Sequence, residues 1–136
     1  MVGRGDPVSS FGGFTTFREF LHHIKFNQLL LKVVKFADWR RKPIHSFAQM
    51  TDFVITQRVL SFKMEVSANY LRQDQLLQLL WGDDLPAQAT ESRFYHYFCE
   101  DLRPLNGLHH LLCQLAQRHL AKMHGRLVFD MDSTPL

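Results

Sequence analysis

The chain has 136 residues, of which 46% are apolar and twelve are phenylalanine, which suits one domain with a hydrophobic core and excludes a wholly disordered protein. Two cysteines are too few for a disulfide framework. The sequence has neither a signal-peptide pattern nor the roughly 20 consecutive apolar residues of a membrane span, so we expect a cytoplasmic protein. The net charge is +3, and residues 1–68 hold ten Lys and Arg against five Asp and Glu, so this half is the better candidate to face a polyanion.

The first part of the chain predicts a leader and two helices. Residues 1–13 are rich in Gly, Ser and Pro, which is typical of a flexible segment. Thr15 or Thr16 can cap a first short helix. From Phe26 to Ala37 apolar residues recur at steps of three and four, which predicts a helix with one buried face.

Two helices are predicted in the middle of the chain. Pro43 suits the first turn of a helix that continues to Phe62, because proline lacks the N–H that a first turn leaves unpaired. A shorter Leu-rich helix follows over residues 73–81. Gly82 is placed to end it.

Two more helices are predicted toward the end of the chain. One runs from Thr90 to about Cys99, and the next begins at Pro104 and stops at Gly125. The apolar stripe of the second helix is predicted to consist of Leu105, Leu108, Leu112 and Leu115.

An apolar run that ends in acids follows the last helix. Residues 126–132 predict a β-strand in which Asp130 and Asp132 share one face. Two adjacent carboxylates suit a divalent ion such as Mg²⁺ and therefore phosphoryl chemistry. One strand cannot form a sheet alone. We therefore predict a truncated chain of mainly α fold, with a helical domain over residues 14–124 and the first strand of an incomplete domain over 125–136.

Two families have such an acidic strand. It is similar to the first motif of haloacid-dehalogenase phosphatases, in which Asp130 would be the nucleophile and Asp132 the general acid. It is also similar to the first acidic strand of DDE transposases with an RNase H-like fold. The phosphatase motif opens its domain, whereas here it stands at the end of the sequence, so its position favours the transposases.

Three upstream segments favour the same family. They are Gln57-Arg58, then Asn-Tyr-Leu-Arg-Gln-Asp at 69–74, then Leu-Pro-Ala-Gln-Ala-Thr-Glu-Ser-Arg-Phe at 85–94. In order and spacing they resemble the N-terminal region of DDE-type insertion-sequence transposases of bacteria, group 1. The resemblance extends over roughly residues 14–134.

The resemblance implies a role in DNA transposition. The helical region would bind the terminal inverted repeats of the mobile element, and Asp132, with Asp130 as second candidate, would supply the first Mg²⁺-binding carboxylate of the catalytic triad. The other acids of the triad would lie beyond Leu136, so we expect no strand cleavage by this chain alone. A second copy or a full-length transposase would be its protein partner.

Candidate DNA contacts lie near the predicted start of the helix at Thr90. Gln88, Thr90 and Arg93 are close to a helix N-terminus, where main-chain N–H groups favour phosphate and an arginine can reach a base edge. The alternative is that Thr90 only caps the helix and that Arg93 pairs with Glu91 or Asp84 on the surface.

Further cations are candidates for phosphate contacts. Arg40, Arg41 and Lys42 are consecutive, and Arg72 lies in the second matched segment. The alternative for the consecutive cations is a solvated loop between helices.

Two other functions remain open at this point. The chain could be a helical interaction module that modulates a transposase by pairing its strand with a partner's sheet edge, or a phosphatase fragment. A zinc site is not indicated, because the spacing of Cys99, His109 and Cys113 matches no standard pattern. We expect the cysteines in the core and the histidines in solvent.

Overall fold

The computed structural model describes residues 11–82 and 84–125. Within these ranges the chain forms seven helices and no strand. None of these helices has the length and apolar character needed to cross a membrane. The predicted strand, with Asp130 and Asp132, lies outside the described residues. The helices are α1 (Phe14–His23), α2 (Phe26–Val33), α3 (Phe47–Val59), α4 (Ser67–Leu71), α5 (Gln75–Trp81), α6 (Gln88–Glu100) and α7 (Arg103–Leu120).

The first two helices have other boundaries than their sequence pattern suggests. Gly13, and not a threonine, is the N-cap of α1, and the Thr15 hydroxyl donates a hydrogen bond of 2.8 Å to the Gly12 carbonyl. The prediction that α2 continues to Ala37 was wrong, because the backbone is extended at Val34 and residues 34–39 are not helical. This extension allows the Ala37 N–H to donate to the Tyr97 hydroxyl at 3.1 Å, so a contact with α6 replaces the last helical turn.

Helix α3 begins four residues after Pro43, so the prediction that this proline lies in its first turn was wrong. Ser46 and Gln49 form a capping box, in which the Ser46 hydroxyl accepts from the Gln49 N–H and the Gln49 side chain accepts from the Ser46 N–H. A reciprocal cap of this kind satisfies two backbone donors. The helix ends at Val59 and does not reach Phe62.

The middle of the chain contains a helix that the sequence pattern did not predict. Helix α4 has only five residues, too few for a helical repeat to be visible. Helix α5 begins at Gln75 because the Asp74 carboxylate accepts from the Leu77 N–H at 3.0 Å. The prediction that Gly82 ends this helix is confirmed, and its φ of 83° lies in the region that glycine favours.

Helix α6 begins at Gln88, so the prediction that Thr90 starts or caps it was wrong; the N-cap is Ala87. Pro104 lies in the first turn of α7, as predicted, but the helix ends at Leu120, before Gly125.

The buried face of α7 differs from the predicted stripe. Leu111 is 2% exposed, whereas Leu105 and Leu112 are 52% and 65% exposed. The reason is the close approach of α7 to α2: a Cβ at Gly107 would lie 2.9 Å from the Val34 Cα. The face of α7 that contains Gly107 therefore lies against α2. Leu105 and Leu112, which lie on a neighbouring face of α7, are turned toward solvent.

Helix α3 lies at the centre of the molecule. Its residues contribute to all three clusters of packed apolar side chains: Phe53 to one, Ile55 to the second, and Phe47 with Met50 to the third. The buried polar groups of α3 have hydrogen-bond partners within the protein. The Thr56 hydroxyl, for example, donates to the Asp52 carbonyl. Because α3 is buried on several sides, it holds the other helices in position around the candidate site.

Candidate nucleic-acid interface

A cleft of about 560 Å³ lies between the loop that precedes α3 and one side of α6. Four of the predicted DNA contacts line it: Arg40, Arg72, Thr90 and Arg93. They come from three separate parts of the chain, since Arg40 lies in the loop, Arg72 follows α4, and Thr90 and Arg93 are on α6. The structure therefore brings most of the predicted cations to one place.

The N-terminus of α6 is held by α4. The Gln88 N–H donates to the Asn69 side-chain oxygen at 3.3 Å, and the Asn69 amide donates back to the Gln88 side chain at 3.3 Å. Gln88 is thus occupied in positioning the helix and does not line the cleft. Arg93 points across the first turn, with its guanidinium 3.4 Å from the Thr90 hydroxyl, and its side chain is exposed.

Arg40 shapes the cleft from within the loop. Its guanidinium donates to both oxygens of Asp38 at 2.7 Å and to the His45 carbonyl at 2.9 Å, and it lies 4.1 Å from the centre of the Phe47 ring. The hydrogen bonds from Arg40 hold the pKa of the Asp38 carboxyl below its usual value. Much of the Arg40 charge is therefore already compensated.

The other two consecutive cations do not belong to the cleft. Arg41 and Lys42 are exposed and do not line it. The three consecutive cations thus differ in exposure. Arg40 is partly buried and stabilises the loop through its hydrogen bonds, whereas Arg41 and Lys42 face solvent.

An apolar wall completes the cleft, and sequence periodicity did not predict it. The Phe47 and Tyr97 rings stack with their centres 4.0 Å apart, and Trp39 packs against Tyr97 at 5.6 Å while remaining 67% exposed. Ile44 is also exposed at this edge. The signal available in the sequence was the position of Trp39 directly before the basic run.

Charges of both signs surround the cleft. Within the described part of the chain, Arg72 and Arg93 form no ion pair, and the acids that line the cleft are Asp84 and Glu100. Burial lowers the pKa of His45 below its ordinary value, with Asp84 acting in the opposite direction. Arg72 and Arg93 are thus the lining arginines without an ion-pair partner among the described residues.

Glu91 is not a surface partner of Arg93, because it is completely buried between α3 and α6. Its carboxylate accepts from the Gln57 amide at 2.8 Å and from the Tyr95 hydroxyl at 2.9 Å. Arg58 donates to the same hydroxyl at 3.3 Å. The alternative of a surface pair between Arg93 and Glu91 is therefore wrong, and the matched residues Gln57 and Arg58 help to fix α6 in place.

The described ranges contain no group of three or more side chains suited to hold a metal ion. Both cysteines are exposed, so their predicted place in the core was wrong; Cys113 lies 3.7 Å from the His109 ring nitrogen. Asp130 and Asp132 lie outside the described residues, and their role as Mg²⁺ ligands stays a prediction.

Comparison with known families gives a match over the whole chain. The family described as transposase DDE domain group 1 matches residues 1–136, so the chain belongs to this family of transposases and has a role in transposition. Transposases of this family typically use divalent metal ions. Neither a search of curated proteins nor a search of solved structures found a match.

Proposed function

We propose that the helical part of this transposase binds DNA through the cleft, at the terminal inverted repeats of its mobile element. The observation that supports this most directly is the convergence of Arg72 and Arg93. They belong to different elements, their side chains are exposed, and both line one concave surface. Guanidinium groups in such a place can contact phosphate oxygens or the edge of a guanine.

The position of Arg93 on α6 adds to this proposal. It lies near the N-terminus of a 13-residue helix, and the positive end of the helix dipole favours a bound phosphate there. The bonds between Asn69 and Gln88 hold this helix end in a fixed direction, which reduces the loss of freedom when DNA binds. Arg41 and Lys42 are proposed to add contacts with the flanking backbone.

The chemistry of strand transfer is assigned to the acidic strand. We infer that residues 125–136 begin an RNase H-like domain, in which Asp132, with Asp130 as second candidate, holds Mg²⁺. The helical domain over residues 14–124 would then position the DNA, after a leader at 1–13. We place this binding in the cytoplasm, with a second copy or a full-length transposase as protein partner.

The experiment that tests the cleft is a binding titration of the 136-residue chain with duplexes carrying the inverted repeats and with scrambled duplexes, at several salt concentrations. Arg93→Ala is expected to weaken binding to the repeats and, if one phosphate contact is lost, to lower the salt slope by about 0.9. Lys32→Ala is the matched control, because this cation is also exposed but lies on α2 and does not line the cleft.

The two variants separate specific recognition from general charge. Equal loss in Arg93→Ala and Lys32→Ala would show that DNA responds only to net charge. Unchanged binding in Arg93→Ala would remove the cleft from the proposal. Weaker discrimination between repeat and scrambled duplexes in Arg93→Ala would indicate a base contact as well as a phosphate contact.

A further inference from the structure

A second concave surface lies between α1 and the C-terminal half of α7, and we call it the α1–α7 groove. It has a volume of about 720 Å³ and shares no lining residue with the cleft. Its base is formed by Leu21, Phe26, Ile55 and Leu115, which belong to the second cluster of packed apolar side chains.

The groove exposes large apolar side chains on both sides. Phe20 of α1 is 54% exposed, and Leu112 of α7 is 65% exposed, although both border the same apolar base. Single exposed apolar residues are common on proteins, but a continuous apolar surface with a concave base is characteristic of a binding site. The groove is therefore a second candidate site, distinct in place and chemistry from the cleft.

Among the described residues, the charges that line the groove have one sign only. All of its titratable lining side chains are basic, and the nearby acid of α1, Glu19, does not line it. The cleft, by contrast, has two acids among its lining residues. The basic side chains of the groove are Lys25, Arg118, Lys122, His23 and His119.

We propose that the α1–α7 groove binds an amphipathic helix of a partner protein, with an apolar face toward the base and acidic residues along its flanks. Two helices form the walls, and an apolar channel between helices is the shape that accepts a third helix. Helix α1 has ten residues, which at 1.5 Å per residue gives a wall of about 15 Å, or roughly three turns of a bound helix.

Other occupants fit the groove less well. DNA would meet the basic rim, but it would leave Phe20 and Leu112 against a charged backbone, where their burial contributes little. A symmetric pair of two copies through this groove would place two sets of cations side by side, because the same surface would face itself. An acid-flanked helix matches both the apolar base and the rim.

The probe for this proposal is a synthetic 18-residue helical peptide with leucines at steps of three and four on one face and glutamates on both flanks. A twin peptide has lysines in place of the glutamates. Fluorescence anisotropy with the 136-residue chain is expected to show binding of the glutamate peptide and at least tenfold weaker binding of the lysine twin.

Variants at exposed positions test the groove without affecting the folded core. Leu112→Ser is expected to weaken binding of the glutamate peptide at least tenfold. Leu79→Ser is the matched control, because Leu79 is 82% exposed on α5 and does not line the groove. The double variant Arg118→Glu with Lys122→Glu is expected to reverse the preference and bind the lysine peptide more tightly.

Three results would overturn the proposal: no binding of either peptide, equal binding in Leu112→Ser and wild type, or no preference between the peptides. A DNA duplex that displaces the peptide, and whose own binding is lost in the Arg118 and Lys122 double variant but kept in Leu112→Ser, would assign the surface to DNA instead. Arg93→Ala is expected to leave peptide binding unchanged, so this test is independent of the cleft.

Discussion

At the scale of single residues, the most informative side chain is the buried carboxyl of Glu91. It lies between α3 and α6 and has hydrogen bonds from both Gln57 and Tyr95. Burial raises the pKa of Glu91 above its ordinary value, and the two hydrogen bonds oppose that change without cancelling it. The same surroundings raise the pKa of Tyr95 to about 12, again chiefly through burial.

Glu91 gives the protein a predictable pH dependence of stability. Because its pKa is higher in the folded than in the unfolded chain, the folded state binds more protons between the ordinary value of 4.5 and the raised value. The contribution of Glu91 to stability is therefore fully present at a pH below the ordinary pKa. It is lost as the pH rises through the raised pKa of the folded state. Glu91→Gln should flatten this dependence in urea unfolding measured from pH 4 to pH 8.

The control for this prediction is Glu19→Gln, an exposed glutamate on α1. It should leave the pH dependence of the wild type in place. If Glu91→Gln and Glu19→Gln give the same curve as the wild type, the buried carboxyl is not the source of the dependence.

At the scale of helices, the contact between α2 and α7 depends on one glycine. Gly107 is buried, and a Cβ there would lie 2.9 Å from the Val34 Cα and 3.4 Å from the Val33 carbonyl oxygen. These are backbone atoms, which cannot move aside as the end of a flexible side chain can. The glycine thus allows two helices to approach more closely than any other residue would permit.

Gly107→Ala is expected to lower the free energy of unfolding by up to about 2 kcal/mol, because an overpacking cost of about 1–3 kcal/mol outweighs the roughly 1 kcal/mol that alanine gains in helix propensity. Urea unfolding measures the change. Asn106→Ala on the exposed side of α7 provides the comparison and should be neutral or slightly stabilising. A stabilised Gly107→Ala variant would show that α2 and α7 are not in this contact in solution.

At the scale of the whole molecule, Arg18 connects three helices. From α1 its guanidinium donates to both oxygens of Asp52 on α3, at 2.9 and 2.7 Å, and it lies 4.4 Å from the centre of the Trp81 ring on α5. Both members of the ion pair are largely shielded from water. A charge-assisted pair in such a place contributes more than one on the surface.

Asp52→Ala is expected to lower the free energy of unfolding by about 1.5–3 kcal/mol, the range for hydrogen bonds to charged groups. A double-mutant cycle with Arg18→Met isolates the pair from other effects. Asp101→Ala removes a similar pair with Arg103, whose side chain is 77% exposed, and should cause little measurable change. Equal effects of the two aspartate substitutions would contradict a special role for the Arg18 pair.

Sequence patterns predicted the parts of this fold that depend on neighbours along the chain. Gly82 ends α5 and Pro104 begins α7 because both act through their own backbone geometry. The boundaries that differed depend on distant partners: α2 ends early where Ala37 meets Tyr97, 60 residues away. The exposed face of α7 also differs from the predicted one, because the orientation of this helix is set by the contact of Gly107 with Val34.

The family, the mainly helical character and the identity of the candidate cations follow from the amino-acid order alone, because motifs, periodicity and charge are properties of the linear chain. The folded chain was needed to show that Arg72 and Arg93 share a cleft and that Glu91 is buried. It alone also decided that α1 and α7 leave a basic-rimmed groove between them. These features require contacts between residues far apart in the chain, such as Gln57 and Glu91, which are separated by 34 residues. No local sequence pattern distinguishes a side chain that contacts such a partner from one that faces water.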